Sequence, residues 1–230
     1  MERLTDALVA ALGDRLRTDA SVPSLDALEP SGAVVLATPA VESGRLLAAR
    51  APGVAAELAA IPYVSTGVVA LVYPPGSQGR LPDGTGFVVP RGMAPMTACT
   101  WLSSKWPDEA WGDRAVMRCY VGAAGEEDVL DADDADLIDA CTRHLAALLP
   151  LPERPEAAAV HRWPRALPQF ERGHLERVAR IRAGLPPGIF VAGSAYDGVG
   201  IPDTVRGAGE TAESVAAFLA ARRSDQETVP

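Results

Sequence analysis

The feature that most constrains the fold is a strand-like run that passes through a glycine-rich turn into a helix. Residues 188–193 read GIFVAG, an apolar run typical of a buried strand, and Gly198 and Gly200 follow shortly before Pro202. Pro202 suits the first position of a helix, where its missing N–H costs nothing. This order places free backbone N–H groups at the carboxyl edge of a sheet, where α/β proteins bind ligands. It predicts an α/β layer with a ligand at the turn between Gly193 and Pro202, although an ordinary strand-to-helix turn would need the same glycines.

The helix after this turn is rich in small residues. Gly207 and Gly209 each cost about 1 kcal/mol relative to Ala inside a helix, so we expect another backbone or a flat ligand to approach closely there. The residues after 222 are polar, and residues 223–230 are expected to form a disordered tail. The apolar stripe that helical spacing predicts to be buried consists of Val205, Ala208, Ala212, Val215, Ala216 and Leu219.

Strand-like runs between residues 62 and 122 predict an antiparallel sheet. Pro, Gly and Asp turn signals separate these runs, and a further strand is predicted at 158–164. Apolar residues recur at helical spacing over 133–150, so we expect an amphipathic helix that packs on the sheet.

The N-terminal region predicts a different arrangement. Residues 2–17 carry an apolar face at helical spacing, and this helix is expected to pack on a sheet. The continuous apolar run at 33–39 favours a strand buried on both faces, as in a parallel sheet. One or two short helices are expected over 41–59, and a basic helix begins near His174.

Charge and cysteine content exclude several classes of protein. The formal net charge is −9, so the basic surface that nucleic-acid binding requires is missing. Cys99, Cys119 and Cys141 lack the spacing of a zinc site, which predicts three reduced thiols and no metal. No apolar run approaches the roughly 18 residues of a membrane span, and the start of the chain lacks a secretion signal, so a cytoplasmic protein is expected.

Four segments, taken in order, resemble the protoporphyrinogen and coproporphyrinogen III oxidase family, which belongs to the monoamine-oxidase-like superfamily. The resemblance implies FAD as the cofactor, a porphyrinogen as the substrate, and hydride transfer to the flavin with O₂ as the final acceptor in haem biosynthesis. It implies flavin contacts at Trp163 and at Val199, Gly200 and Ile201. The segments are IPYVSTGVVALVYP (61–74), TACTWLSSKWP (97–107), VHRWPRALPQF (160–170) and GHLERVARIRAGLPPGIFVAGSAYDGVGIPD (173–203).

The chain departs from the family pattern in its first half. It contains no GxGxxG fingerprint to seat the ADP half of FAD, so a truncated FAD-binding domain and a partner that supplies the missing half are expected. The expected fold is therefore α/β (α+β), with an antiparallel substrate-binding sheet at 62–163. Beside it, residues 1–61 and 164–222 would form the remnant of the FAD-binding layer.

Other candidate residues leave alternatives open. Lys105 and Arg165 are candidates for binding a substrate propionate, although Lys105 could be an exposed lysine at the end of a strand and Arg165 a solvated helix charge. His174, at a helix start, reads as a capping or surface group rather than a general base. No catalytic residue is predicted, and the choice between coproporphyrinogen and protoporphyrinogen stays open. The functional alternatives are another flavin amine oxidase-like enzyme and a non-catalytic tetrapyrrole-binding remnant.

Overall fold

A computed structural model describes residues 2–29 and 31–227, which form two compact units. The sheet unit consists of Ile61–His174 and Asp197–Ile201. The helix-rich unit consists of the chain up to Ala60, Leu175–Tyr196 and the chain from Pro202 onward. The predicted mixed α/β (α+β) class is confirmed.

Helices and strands occur in both units. The helices are α1 (Glu2–Leu12), α2 (Ala40–Leu47), α3 (Pro52–Ala59), α4 (Leu102–Lys105), α5 (Asp134–Leu148), α6 (His174–Gly184) and α7 (Ile201–Glu227). The strands are β1 (Val34–Leu36), β2 (Tyr63–Pro75), β3 (Gly86–Val88), β4 (Ala98–Trp101), β5 (Arg114–Val121), β6 (Ala157–Pro168) and β7 (Ile189–Val191). None of the described helices is both long enough and apolar enough to cross a membrane.

The sheet unit is built on a five-stranded sheet in the order β3-β4-β5-β2-β6, and its pairings are antiparallel, as predicted. Alternate side chains of each strand point to opposite faces, so one face of β2 buries Val69, Leu71 and Tyr73. α5 contributes Leu137 and Leu145 to the same core cluster. The predicted amphipathic helix on the sheet is therefore confirmed.

The opposite face of this sheet, here called the outer face, is only partly covered. Register defines its rows, because residues directly opposite one another in an antiparallel pair share a face. One row contains Thr100, Arg118, Ala70 and Ala159. The next row contains Ala98, Tyr120, Val68 and His161.

The helix-rich unit contains a two-stranded parallel sheet of β1 and β7. Phe218 of α7 packs edge-on against Phe190 of β7, with ring centroids 5.8 Å apart. α2 and α3 approach closely at Gly44, where an added Cβ would lie 2.9 Å from the carbonyl oxygen of Ala55. The parallel pairing of the predicted strands is confirmed, and so are the two short helices over 41–59.

Two predictions for the N-terminal region are wrong. The described side chains of α1 are exposed, including Leu8 at 55 %, so this helix does not bury its apolar face on a sheet. Val35, in the middle of β1, is 43 % exposed, so this strand is not buried on both faces. The apolar spacing identified both elements, but it carried no information on whether another element would cover them.

The buried line of α7 also differs from the predicted stripe. Val205, Ala208, Ala212 and Ala216 are exposed, whereas Gly207 and Thr211 are buried. Packing of the large Phe218 ring on β7 sets the helix rotation, and the Thr211 hydroxyl donates to the Gly207 carbonyl at 2.8 Å. A Cβ on Gly209 would meet open space, so no other described backbone approaches closely there.

Two element ends differ from their predicted positions. α7 continues to Glu227, beyond the predicted end at 222, because the polar residues there tolerate a helix. The last part of the predicted tail, residues 228–230, lies outside the described residues. The predicted strand at 158–164 extends as β6 to Pro168, since pairing with β2 resumes beyond an irregularity opposite Ser65.

Candidate functional site

The turn between β7 and α7 has the backbone conformation that its glycines predict. Gly193 has a φ of +130° and Gly198 a φ of +144°, values that residues with a Cβ rarely adopt. α7 begins at Ile201, one residue earlier than the proline-based prediction. The apolar side chains of Val199 and Ile201 are 50 % and 48 % exposed, so both can contact a ligand.

The first turn of α7 carries an acidic side chain that is already paired. Asp203 Oδ1 accepts a hydrogen bond from Arg206 Nη2 at 3.1 Å, and Glu210 lies 3.4 Å from the same guanidinium. These carboxylates, with the hydrogen bond to Asp203 the larger effect, raise the pKa of Arg206. Asp203 is therefore paired with Arg206 one turn further along the helix. The backbone N–H groups at the start of α7 carry the positive end of the helix dipole.

The predicted cofactor residues are divided between the two compact units. Trp163 and residues 199–201 belong to the sheet unit. Gly193 and Pro202 belong to the helix-rich unit.

Trp163 lies on the outer face of the sheet, at the edge strand β6. It pairs with Thr66 of β2 and is 41 % exposed. Its ring lies 4.2 Å from that of His161, at an interplanar angle of 60°. The two rings stand next to each other because residues i and i+2 of a strand share a face. They form an aromatic edge that a flat ligand can contact.

Sequence reasoning missed the polar residues in the middle of the outer face. Arg118 and Tyr120 lie on β5, between β4 and β2, and both are half-buried. Their neighbours across the strands are the small or apolar residues Thr100, Ala70 and Val68. The alternation of AVMRCYV could have placed both on one face, but only the pairing register places that face beside Trp163.

Arg165 lies in an irregularity of β6. Residues 164–166 stand opposite the single residue Ser65 of β2, because Thr66 pairs with Trp163 and Val64 with Leu167. The backbone N–H of Arg165 donates to Ser65 Oγ at 3.1 Å, and its φ of +44° is unusual for a residue with a Cβ. Bulges redirect side chains and occur next to active sites, so the geometry is compatible with ligand binding.

Several other polar residues have structural partners. Lys105 ends the short helix α4, not a strand, and its Nζ lies 4.8 Å from the ring centroid of Trp106. His174 is buried and stacks on Phe170 at 4.2 Å, which corrects its interpretation as a surface group. Arg162 donates to the carbonyl oxygens of Leu130 and Ala132, a role in holding the segment before α5.

The three cysteines are free, as predicted, and all lie in the buried core of the sheet unit. Cys99 and Cys119 are cross-strand neighbours with sulfur atoms 3.8 Å apart. Hydrogen bonding to the neighbouring thiols of Cys141 and Cys99, together with burial, raises the pKa of Cys119. A buried thiol that holds its proton is a poor nucleophile, so Cys119 is not suited to covalent catalysis.

With this geometry in view, comparison with known proteins identifies the family. A family model described as flavin containing amine oxidoreductase matches residues 1–216. The chain belongs to this family. Its class is therefore that of flavin-containing oxidoreductases.

Individual relatives and solved structures show which members of the family the chain resembles. The chain is 38 % identical over 165 residues to coproporphyrinogen III oxidase of Bacillus subtilis (strain 168), which covers 67 % of this chain and 35 % of that relative. A crystal structure provisionally named as a protoporphyrinogen oxidase from Exiguobacterium sp. 255-15 superposes with a TM-score of 0.69 at 32 % identity. That match covers 80 % of this chain and 40 % of the other.

A third similarity concerns the fold alone. A redesigned putrescine oxidase superposes with a TM-score of 0.71 over 96 % of this chain and 53 % of that chain, at 18 % identity. The chain thus spans 35 % of the Bacillus relative and about half of the putrescine oxidase chain.

Proposed function

We propose that this chain provides the substrate-binding sheet and the flavin-ring contacts of an FAD-dependent porphyrinogen oxidase. The observation that carries the proposal is the grouping of Trp163, with its exposed aromatic edge, and residues 199–201 in the same compact unit as the outer face. The names of the Bacillus and Exiguobacterium relatives support porphyrinogen as the substrate class. Coproporphyrinogen III is the preferred substrate in this proposal, because the Bacillus relative carries that name.

The residues present fit one half of FAD. The isoalloxazine ring is flat and has an apolar dimethylbenzene end, which suits the exposed side chains of Val199 and Ile201 and the ring of Trp163. For the ADP half, these residues contain no GxGxxG loop, and in this proposal a further polypeptide segment supplies that binding site.

The protein groups then act by position and charge. When bound, the flavin would accept a hydride from the porphyrinogen and pass the electrons on to O₂. The backbone N–H groups at the start of α7, from Ile201 onward, would stabilise negative charge on the bound ring through the helix dipole. The pairing of Asp203 with Arg206 keeps a competing carboxylate engaged elsewhere. Pro202, which has no N–H, removes no donor that the first turn needs.

A second function would use the same outer face. A non-catalytic chain that binds a tetrapyrrole on the outer face without flavin would keep the same sheet and Trp163. The two functions differ in what the purified chain binds. The proposed oxidase activity requires a partner with the ADP-binding loop, whereas tetrapyrrole binding alone does not.

The experiment that tests the proposal measures both ligands. The purified chain is titrated with coproporphyrin III and with FAD, alone and after addition of an N-terminal FAD-binding half taken from the Bacillus relative. We expect porphyrin binding in both cases, and flavin absorbance that co-elutes in gel filtration only with the added half. Porphyrin binding that persists while flavin is never retained would favour the non-catalytic function. Loss of porphyrin binding would contradict both.

Substitutions in the turn test the flavin contacts separately. In the reconstituted protein, Gly200→Val is expected to abolish flavin binding, because a branched side chain obstructs close approach of a flat ring to the backbone. Val199→Ala should lose only part of an apolar contact and weaken binding slightly. Thermal unfolding measured in parallel separates binding from folding. Unchanged flavin affinity in folded Gly200→Val protein would remove this turn from the site.

A further inference from the structure

Arg118 is a charged residue without a partner in the middle of an apolar surface. It is half-buried on β5, and its guanidinium makes no hydrogen bond or ion pair with any residue that the structure describes. The other half-buried arginines of the sheet unit are paired: Arg114 with Glu156 at 2.7 Å, and Arg162 with Asp134. Partial burial of an unpaired charge is unfavourable, which makes this position unusual.

The neighbours of Arg118 leave a flat surface around it. Thr100 and Ala70 lie directly opposite on the two flanking strands, and Ala159 continues the row on β6. All three side chains are small, and none is acidic. Tyr120 lies two residues further along β5 on the same face. Its side chain therefore adds a phenol group to the row next to that of Arg118.

The distance across the sheet suits a flat ligand with acidic arms. β6 is two strands away from β5, or roughly 10 Å at the usual strand spacing, and it carries the aromatic pair of His161 and Trp163. A ring system that lies over Ala70 and Val68 could contact this aromatic edge on one side. On the other side, a carboxylate arm could reach Arg118.

We propose that Arg118 binds a carboxylate of the tetrapyrrole on the outer face and thereby selects for substrates with free acid groups. This inference rests on the proposed function and adds to it a specificity-determining residue. Arginine suits the role because its planar guanidinium pairs with a carboxylate through two parallel hydrogen bonds. In the bound state a carboxylate of the ligand supplies the negative charge that no described side chain provides for Arg118.

The test compares a porphyrin acid with its ester. Wild-type protein and Arg118→Gln are titrated with coproporphyrin III and with its tetramethyl ester in the same detergent-containing buffer, followed by quenching of tryptophan fluorescence. We expect Arg118→Gln to weaken binding of the acid roughly 10- to 100-fold, the effect of losing a hydrogen bond to a charged group. Binding of the ester should be unchanged, and Arg118→Lys should restore part of the affinity for the acid.

Two controls separate binding from folding and from overall charge. Arg143→Gln removes an exposed arginine of α5, paired with Asp139, and should bind both porphyrins like the wild type. Thermal unfolding of Arg118→Gln should be unchanged or shifted upward, because the substitution removes an unpaired charge. A folded Arg118→Gln protein that binds the acid like the wild type, or loses acid and ester equally, would overturn the inference alone. A wild-type protein that binds neither porphyrin would overturn the proposed function and this inference with it.

Discussion

The two compact units use similar elements but differ in how completely they bury them. The sheet unit packs α5 on a five-stranded sheet, and the core residues Val69, Leu71 and Leu145 are fully buried. The helix-rich unit has only two paired strands, and it leaves the apolar side chains of Leu8 and Val35 largely exposed. Two-stranded sheets are marginal by themselves, so stability in this unit depends mainly on helix contacts.

The difference in burial indicates which unit can keep its shape without contacts to another polypeptide segment. A unit with a complete core can hold its outer face in shape without further polypeptide. A unit with exposed apolar faces has surface that association with another segment could bury. The contrast can be measured separately for each unit, because all four tryptophans, Trp101, Trp106, Trp111 and Trp163, lie in the sheet unit.

The largest expected effect on stability is that of shortening a side chain in the core of the sheet unit. Leu145→Ala should lower the free energy of unfolding of the sheet unit by about 2–5 kcal/mol, because it leaves a cavity under α5. Leu8→Ala in α1 should change stability by less than about 0.5 kcal/mol, since that side chain is 55 % exposed. Urea unfolding followed by tryptophan fluorescence reports the first variant, and circular dichroism reports the second. An equal cost for both would show that α1 is buried in solution.

The next effect concerns alkaline stability of the sheet unit. Burial of its side chain, with the nearby Cys119, raises the pKa of Tyr73 from 10.0 to about 12. Between these values the folded state holds a proton that the unfolded state has released, so stability falls as pH rises. The loss for a shift of this size is about 2–3 kcal/mol.

Tyr73→Phe should remove most of this loss. Part of the slope should persist, because the pKa of Cys119 is raised as well and acts with the same sign. The measurement is urea unfolding at a series of alkaline pH values for wild type and variant. A variant whose stability declines as steeply as that of the wild type would show that Tyr73 is not shielded from water.

A smaller effect is expected where the helix-rich unit is tightly packed. Gly44→Ala places a Cβ 2.9 Å from the Ala55 carbonyl oxygen and 3.3 Å from Leu58 Cβ, so α2 and α3 must move apart. The expected cost is about 1–3 kcal/mol, offset in part by the higher helix propensity of Ala. Gly53→Ala is the matched control, since its Cβ would meet open space and should not destabilise α3. Thermal unfolding by circular dichroism compares the two; equal stability would mean that the helix pair adapts without cost.

The smallest effect is electrostatic. A hydrogen bond from Arg180, at 2.8 Å, lowers the pKa of Glu57. A carboxylate with a lowered pKa stabilises the folded state at pH values above the ordinary pKa of Glu. This stabilisation is lost as the pH falls from there through the lowered pKa. Glu57→Gln should therefore flatten the acid side of the stability profile of the helix-rich unit, and added salt should reduce the difference. Glu213→Gln, on the exposed surface of α7, should leave the profile unchanged; a similar flattening there would indicate a general charge effect.

Local patterns in the sequence predicted the helices and strands more reliably than they predicted the contacts between them. The alternation in VVALVY predicted a strand with one buried face, and the spacing over 133–150 predicted α5, because both periods follow from backbone geometry within a few residues. The apolar face of α1 was also identified, but its burial was not, since burial depends on residues elsewhere in the chain. The same reason explains the incorrect stripe on α7, where one ring contact with Phe190 sets the rotation.

The candidate site shows the same division between local and long-range information. The sequence by itself determined the glycine turn, the helix start near Pro202, the antiparallel sheet and the three unpaired thiols, because these depend on dihedral preference, short-range periodicity and cysteine spacing. Only the tertiary structure decided that Arg118, Tyr120, His161 and Trp163 share one face. These residues are brought together by the pairing register of β5, β2 and β6, and a shift of one residue would move a strand's side chains to the other face. Register is set by the burial of a whole face of the sheet against a helix outside the strands, so no short stretch of residues contains it.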